Sequence, residues 1–183
     1  NMALREFINS IKGEDAPVDL QIALFSFGGD SASCDLPLTS VISVNPEDYT
    51  FSAQGRTPMG QAFYKIKEMI EDRSIIPSRS YKPTIVLITD GIPTDDYKTV
   101  MNYLIHEGRS SKAFRMAMAI GDDADKDMLS TFVSNPEFLV TGENARDIRK
   151  FFRFVTMSVT SRMKSQTPDT PPSVDYPNDE ILL

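Results

Sequence analysis

Thr84-Ile85-Val86-Leu87-Ile88-Thr89-Asp90-Gly91-Ile92-Pro93-Thr94-Asp95 is the stretch that decides the fold. Its first six residues form a short, continuous apolar run that begins after Pro83 and is stopped by Asp90-Gly91. Bounded in that way, the run reads as a strand rather than a helix. Because it does not alternate with polar residues, it is expected to be buried on both faces, as the central strand of a parallel sheet is.

The pattern alternates in both directions from this strand. Upstream, Met59, Ala62, Phe63, Ile66, Met69 and Ile70 recur at helical spacing. Before them, Leu36–Val44 reads as a strand that Pro37 confines to an edge, and Val18–Phe27 as a strand ending at Gly28-Gly29-Asp30. The chain opens on a helix marked by Leu4, Phe7, Ile8 and Ile11, which Gly13 and Pro17 stop. Downstream come a helix through Tyr97, Val100, Met101, Leu104 and Ile105, ended by Gly108, and a strand from Phe114 to Ile120. A short helix around Met128, Leu129, Phe132 and Val133 follows, then a strand at Phe138–Val140 and a closing helix through Ile148, Phe151, Phe152, Val155 and Val159. Strands alternating with helices imply right-handed crossovers, hence a doubly wound α/β domain with a mainly parallel sheet and helices on both faces. This domain is expected over residues 1–164. Residues 165–183 contain Thr167-Pro168-Asp169-Thr170-Pro171-Pro172 and scattered acids without a core, and read as a flexible or loosely docked tail.

Composition excludes several functions. The 183 residues are 40% hydrophobic and 25% charged, enough apolar material for a core. A net charge of -7 and a pI near 4.7 argue against nucleic acid or an anionic membrane as partner, and are compatible with a cation or a basic protein. No run of about 18 apolar residues is present, so no membrane-spanning helix is expected. The single cysteine, Cys34, cannot pair internally, which points to a reducing compartment such as the cytoplasm.

In open α/β sheets, ligands sit beyond the carboxyl ends of the strands. Here those positions hold Gly29-Asp30-Ser31, Asp90 to Asp96, and Gly121-Asp122-Asp123. Carboxylates gathered at one edge suit Mg²⁺, Mn²⁺ or Ca²⁺ rather than zinc. Asp95, Asp96, Asp122, Asp123 and Asp125 also precede helices, where aspartate caps free N–H groups. Asp90 stands apart because it ends a buried strand and is followed by Gly91. Thr57, in Gly55-Arg56-Thr57-Pro58-Met59-Gly60, reads as a helix N-cap with Pro58 in the first turn, a role compatible with a ligand hydroxyl at the same edge.

Gly55–Gly60 and Ile88–Asp95 resemble two of the three metal-site segments of von Willebrand factor A domains, and Ala119-Ile120-Gly121-Asp122 is similar to that family's fifth strand and turn. The order of elements to about Lys164 matches as well, with a flavour closest to bacterial tellurium-resistance-associated members. The resemblance implies a Rossmann-like fold without catalysis, in which a metal-ion-dependent adhesion site binds another protein. Thr57 would supply a hydroxyl ligand to Mg²⁺ (or Mn²⁺ or Ca²⁺), and Asp90 a carboxylate, direct or through water. An acidic side chain of the partner would complete the shell, with Arg56, Ile92 and Pro93 on the rim. It also implies a bacterial stress-response setting.

The family's third segment, Asp-x-Ser-x-Ser after a first central strand, does not occur in these residues. The expectation is therefore a domain lacking an upstream strand, with two exposed strand edges and an apolar slot between the strands that end at Phe27 and Thr89. A metal-independent interaction domain with a degenerate site is the alternative. A haloacid-dehalogenase-like phosphatase is disfavoured, since Ile92 stands where that chemistry needs a second aspartate. The only histidine, His106, has no Gly-x-Ser-x-Gly elbow to serve.

Overall fold

The computed structural model describes residues 1–13, 20–53, 55–167, 169–170 and 175–177. The expected strand positions Val18 and Asp19, and the tail's terminal Ile181–Leu183, lie outside the described residues. In these residues five α-helices and five strands follow one another as α1 (Met2–Ile11), β1 (Gln21–Gly28), β2 (Ser31–Ser40), α2 (Met59–Glu71), β3 (Thr84–Thr89), α3 (Lys98–His106), β4 (Phe114–Ile120), α4 (Lys126–Phe132), β5 (Leu139–Gly142) and α5 (Ala145–Lys164).

Among the described residues the strands form two sheets, not one. β3, β4 and β5 make a parallel sheet in that order, with Thr84 opposite Phe114 and Ala117 opposite Leu139. β1 and β2 make an antiparallel hairpin, closed by the two-residue turn Gly29-Asp30. β2 starts five residues before the expected Leu36 and ends at Ser40, after which Val41–Ser43 form a helical turn. The small and polar Ser31–Asp35 carry no apolar signal; the tight turn and pairing with β1 make them a strand. Pro37 does lie on an edge strand, as expected, because among the described residues β2 has β1 as its only neighbour. β5 begins one residue late, since Pro136–Phe138 form their own short helical turn.

Helices cover the sheets in two groups. α1 lies against α5, with Phe7 and Phe152 stacked at 4.7 Å. α2 lies against α3, and its Phe63 stacks on Phe132 of α4 at 5.5 Å. The main core joins Met59 and Phe63 of α2 to Met116 and Met118 of β4 and to Phe151 and Phe154 of α5. α3 ends before Gly108, whose φ of 70° is the left-handed turn that favours glycine after a helix. There the Glu71 carboxylate receives the Arg109 and Ser110 backbone N–H groups at 2.9 and 3.0 Å and Lys67 Nζ at 3.2 Å, fastening α2 to the chain leading into β4. Arg162 near the end of α5 is buried, lies 3.7 Å over the Phe114 ring, and donates to Thr84 Oγ1 at 2.7 Å. Burial lowers its pKa to about 10.

β3 departs from the sequence reading in one respect. Ile85, Leu87 and Thr89 are buried, but Thr84, Val86 and Ile88 are only half-buried. In β1 no residue is fully buried, although Ile22, Leu24, Phe25 and Phe27 are apolar. The cause is a slot of about 1320 Å³ between β1 and β3. β3 is thus the outer strand of its sheet rather than a central one, and the expected pair of open strand edges is present.

Described residues beyond α5 touch the domain at two places. Asp169 lies 3.6 Å from Lys82 Nζ, and Tyr176 meets the Phe154 ring edge-on at 5.4 Å beneath Lys150.

Candidate functional site

The carboxyl end of β3 is built from two loops that hold each other. Thr57 N–H donates to Thr94 Oγ1 at 3.1 Å, and Thr94 N–H donates back to the Thr57 carbonyl at 2.9 Å. One residue on, Asp95 reaches across to the start of α2, where its two oxygens accept the Gly60 and Gln61 N–H groups at 2.9 and 3.0 Å. Asp95 therefore caps a helix, as its residue type suggests, but the helix is α2 and not the one that follows it.

Thr57 is not the side-chain cap that the sequence implied. α2 begins at Met59 with Pro58 in the cap position and no side-chain cap from its own strand of sequence. Asp95 supplies that acceptor from 35 residues away, which leaves the Thr57 hydroxyl out of the capping. Thr57 is only 7% exposed, and a Cβ placed on Gly91 would come within 2.7 Å of its Oγ1. Gly91 is therefore required for close approach: the loop after β3 runs directly against the threonine hydroxyl. Asp90, the residue before, is exposed and also lines the mouth of the slot.

Around this pair, Ile92 is 62% exposed and Pro93 is half-buried. Arg56 projects from the other side of Thr57 and makes an exposed ion pair with Asp30 of the β1–β2 turn at 2.6 Å. Gln61 Nε2 donates to the Asp30 carbonyl at 3.1 Å, so the hairpin turn is tied to α2 as well. The structure therefore brings Arg56, Thr57, Asp90 and Ile92, all singled out in the sequence, to one edge. The remaining acids have other duties or none. Asp125 caps α4 by accepting Met128 N–H at 2.9 Å, and Asp122 pairs with Lys126 at 3.6 Å. Among the described residues, no three His, Cys, Asp or Glu side chains cluster as a metal site would require. Sequence reasoning missed the Asp95 cap, the Thr57–Thr94 exchange and the Asp30 contacts. No local pattern could have revealed them, since the partners lie 26 to 37 residues apart.

Comparison with known proteins agrees with this architecture. No curated protein matches the chain. Among solved structures, proximal thread matrix protein 1 from the mussel byssus superposes with a TM-score of 0.66 at 19% identity, over 85% of this chain and 39% of that one. A second structure of that protein, described as having a zinc-occupied MIDAS motif, gives 0.61 at 17% identity, over 85% and 40%. A von Willebrand factor type A protein from Catenulispora acidiphila gives 0.65 at 18% identity, over 87% and 38%. The chain thus spans about two fifths of the length of these relatives, and at such identities the likeness establishes the fold. The von Willebrand factor type A domain model matches residues 2–154, and the chain belongs to that family.

Proposed function

We propose that this domain binds another protein through a divalent cation at the edge carrying Thr57 and Asp90, with no turnover of its own. One observation carries the reading: Gly91 lets the loop after β3 lie against the buried Thr57 hydroxyl, which sets a hydroxyl and the neighbouring Asp90 carboxylate at one sheet edge. Both are hard oxygen donors of the kind Mg²⁺, Mn²⁺ and Ca²⁺ take, and the pair fits such an ion as part of its shell. The cation would supply a positive charge that one carboxylate leaves under-neutralised. An acidic side chain of the partner is the group such a charge attracts. Arg56, Ile92 and Pro93 form the rim it meets, Arg56 adding a cationic group and Ile92 an exposed apolar one. The setting we propose is a cytoplasmic, bacterial stress response of the tellurium-resistance type, on family likeness alone.

Mn²⁺ titration by calorimetry tests the site without knowledge of the partner. Mn²⁺ binding that is lost in both Thr57→Ala and Asp90→Ala, with the fold intact by circular dichroism, supports it. Binding unaltered by either substitution would overturn it. A metal-independent interaction surface is the second reading, favoured by the lack of any three-residue acidic cluster among the described residues. Partner capture that persists in a chelator, and that depends on Arg56 and Ile92, would decide for it.

A further inference from the structure

Charge is divided unevenly along the chain. α5 carries six basic side chains against one acidic one, Asp147, in a protein whose net charge is -7. Arg146, Lys150, Arg153 and Met157 recur at three- and four-residue steps, which sets them along one face of the helix. Residues 165–183 have the opposite character, with four acids (Asp169, Asp175, Asp179 and Glu180) and no base.

The acidic segment returns to the basic helix. Beyond Ser165 the chain turns, the Thr170 N–H and Oγ1 both donating to the Thr167 carbonyl at 3.0 and 2.9 Å. The Asp169 carboxylate accepts the Lys82 N–H at 3.3 Å and lies 3.6 Å from Lys82 Nζ. Arg162 of α5 holds Lys82 in place for it, donating to the Lys82 carbonyl at 3.0 Å. Tyr176 lies farther back, against Phe154 and beneath Lys150. Those residues stand about 15 and 20 Å before the end of α5, at 1.5 Å per residue. The segment therefore doubles back along α5. The chain from Asp169 to Tyr176 can span about 23 Å, enough for that return.

Two kinds of contact hold it. The half-buried Tyr176 ring is edge-on to Phe154 at 5.4 Å, and Lys150 Nζ lies 5.0 Å from its centroid, so one ring makes an aromatic and a cation–π contact. Asp169 adds opposite charge at Lys82. An aromatic anchor beside complementary charge is the pattern of peptide recognition. Pro168, Pro171, Pro172 and Pro177 reduce the freedom that an extended chain loses on docking. Lys82 precedes β3, whereas Asp90 follows it, so this surface is separate from the cation edge.

We infer that the basic face of α5, together with Lys82, is a docking site for an extended acidic segment anchored by a tyrosine, and that its occupant is the chain's own segment after α5. A foreign peptide reaches this face only by displacing that segment, which its tether holds at an effective concentration on the order of 1 mM.

The test keeps the full chain throughout. A fluorescently labelled peptide with the sequence of residues 165–183 is titrated, by anisotropy, with the intact protein and with the Asp169→Ala/Tyr176→Ala protein. The doubly substituted protein, its own anchors removed, should bind the peptide at least about 10-fold more tightly than the intact one. Adding Lys150→Glu should abolish that binding, with the fold intact by circular dichroism. Equal binding by the intact and doubly substituted proteins, binding by neither, or binding indifferent to Lys150→Glu would overturn the inference. So would an intact protein that sediments as a dimer and is dissociated by the double substitution, since the occupant would then come from a second copy.

Discussion

At the scale of single residues, Gly91 sets the geometry of the site although it carries no functional group. A methyl group there would press on the Thr57 hydroxyl at 2.7 Å. Gly91→Ala is therefore expected to displace Thr57 and weaken Mn²⁺ binding by about 10- to 100-fold, the range seen when a group that positions a ligand is lost. Calorimetry beside a circular dichroism spectrum checks it, and unchanged affinity would show that Thr57 contributes no ligand. Glu71 is the other telling residue. Burial pushes its carboxyl up, but the N–H groups of Arg109 and Ser110, with Lys67, outweigh burial and bring its pKa down to about 2. A carboxyl depressed in the fold contributes stability above its unfolded value, near 4.5, and loses that contribution as pH falls toward 2. Glu71→Gln should lower Tm at neutral pH and flatten the decline of Tm between pH 4.5 and 2, as scanning calorimetry would register. The places of Thr57 and Asp90 in the fold were legible because they stand directly before α2 and after β3, elements whose apolar pattern is plain. The Glu71 and Asp95 contacts were not, because each depends on two segments meeting in space.

At the scale of elements, the start of α2 shows how far local signals reach. Thr57-Pro58 looks like a cap and a first turn, yet the helix borrows its cap from Asp95. Asp95→Ala should cost about 1–2 kcal/mol, the upper part of the range for a lost cap, since two N–H groups lose their acceptor. Chemical denaturation would measure it, and a change below about 0.5 kcal/mol would mean that water replaces the carboxylate at no cost. Asp125, which caps the helix immediately after it, was read correctly from sequence because cap and helix are contiguous. The strands divide in the same way. β3 and β4 declare themselves through unbroken or alternating apolar residues. The first half of β2 does not, because an edge strand that packs little on the core has small and polar side chains.

At the scale of the whole molecule, the family and its α/β order were readable from the alternation of elements, and so was the slot. The separation of β1 and β2 from β3, β4 and β5 was expected with it, whereas the antiparallel pairing of β1 with β2 was not, since pairing direction follows hydrogen bonding and not hydrophobic pattern. The division gives the fold an uneven stability. β3, β4 and β5 are backed by the main core, whereas β1 rests on half-buried side chains and a hairpin. Native-state hydrogen exchange should therefore show β1 and β2 opening at lower free energy than β4, where Met116 to Ala119 are fully buried.

The Asp95 cap has a consequence beyond holding a helix in place. The same α2 whose first turn it holds presents Phe63, Ile66 and Ile70 as a wall of the slot. One loop thus joins two features: Asp90 lines the slot, and Asp95 five residues on holds the helix that walls it. Asp95→Ala is therefore expected to loosen a wall of the slot as well as the start of α2, which faster amide exchange at Phe63 and Ile66 would register.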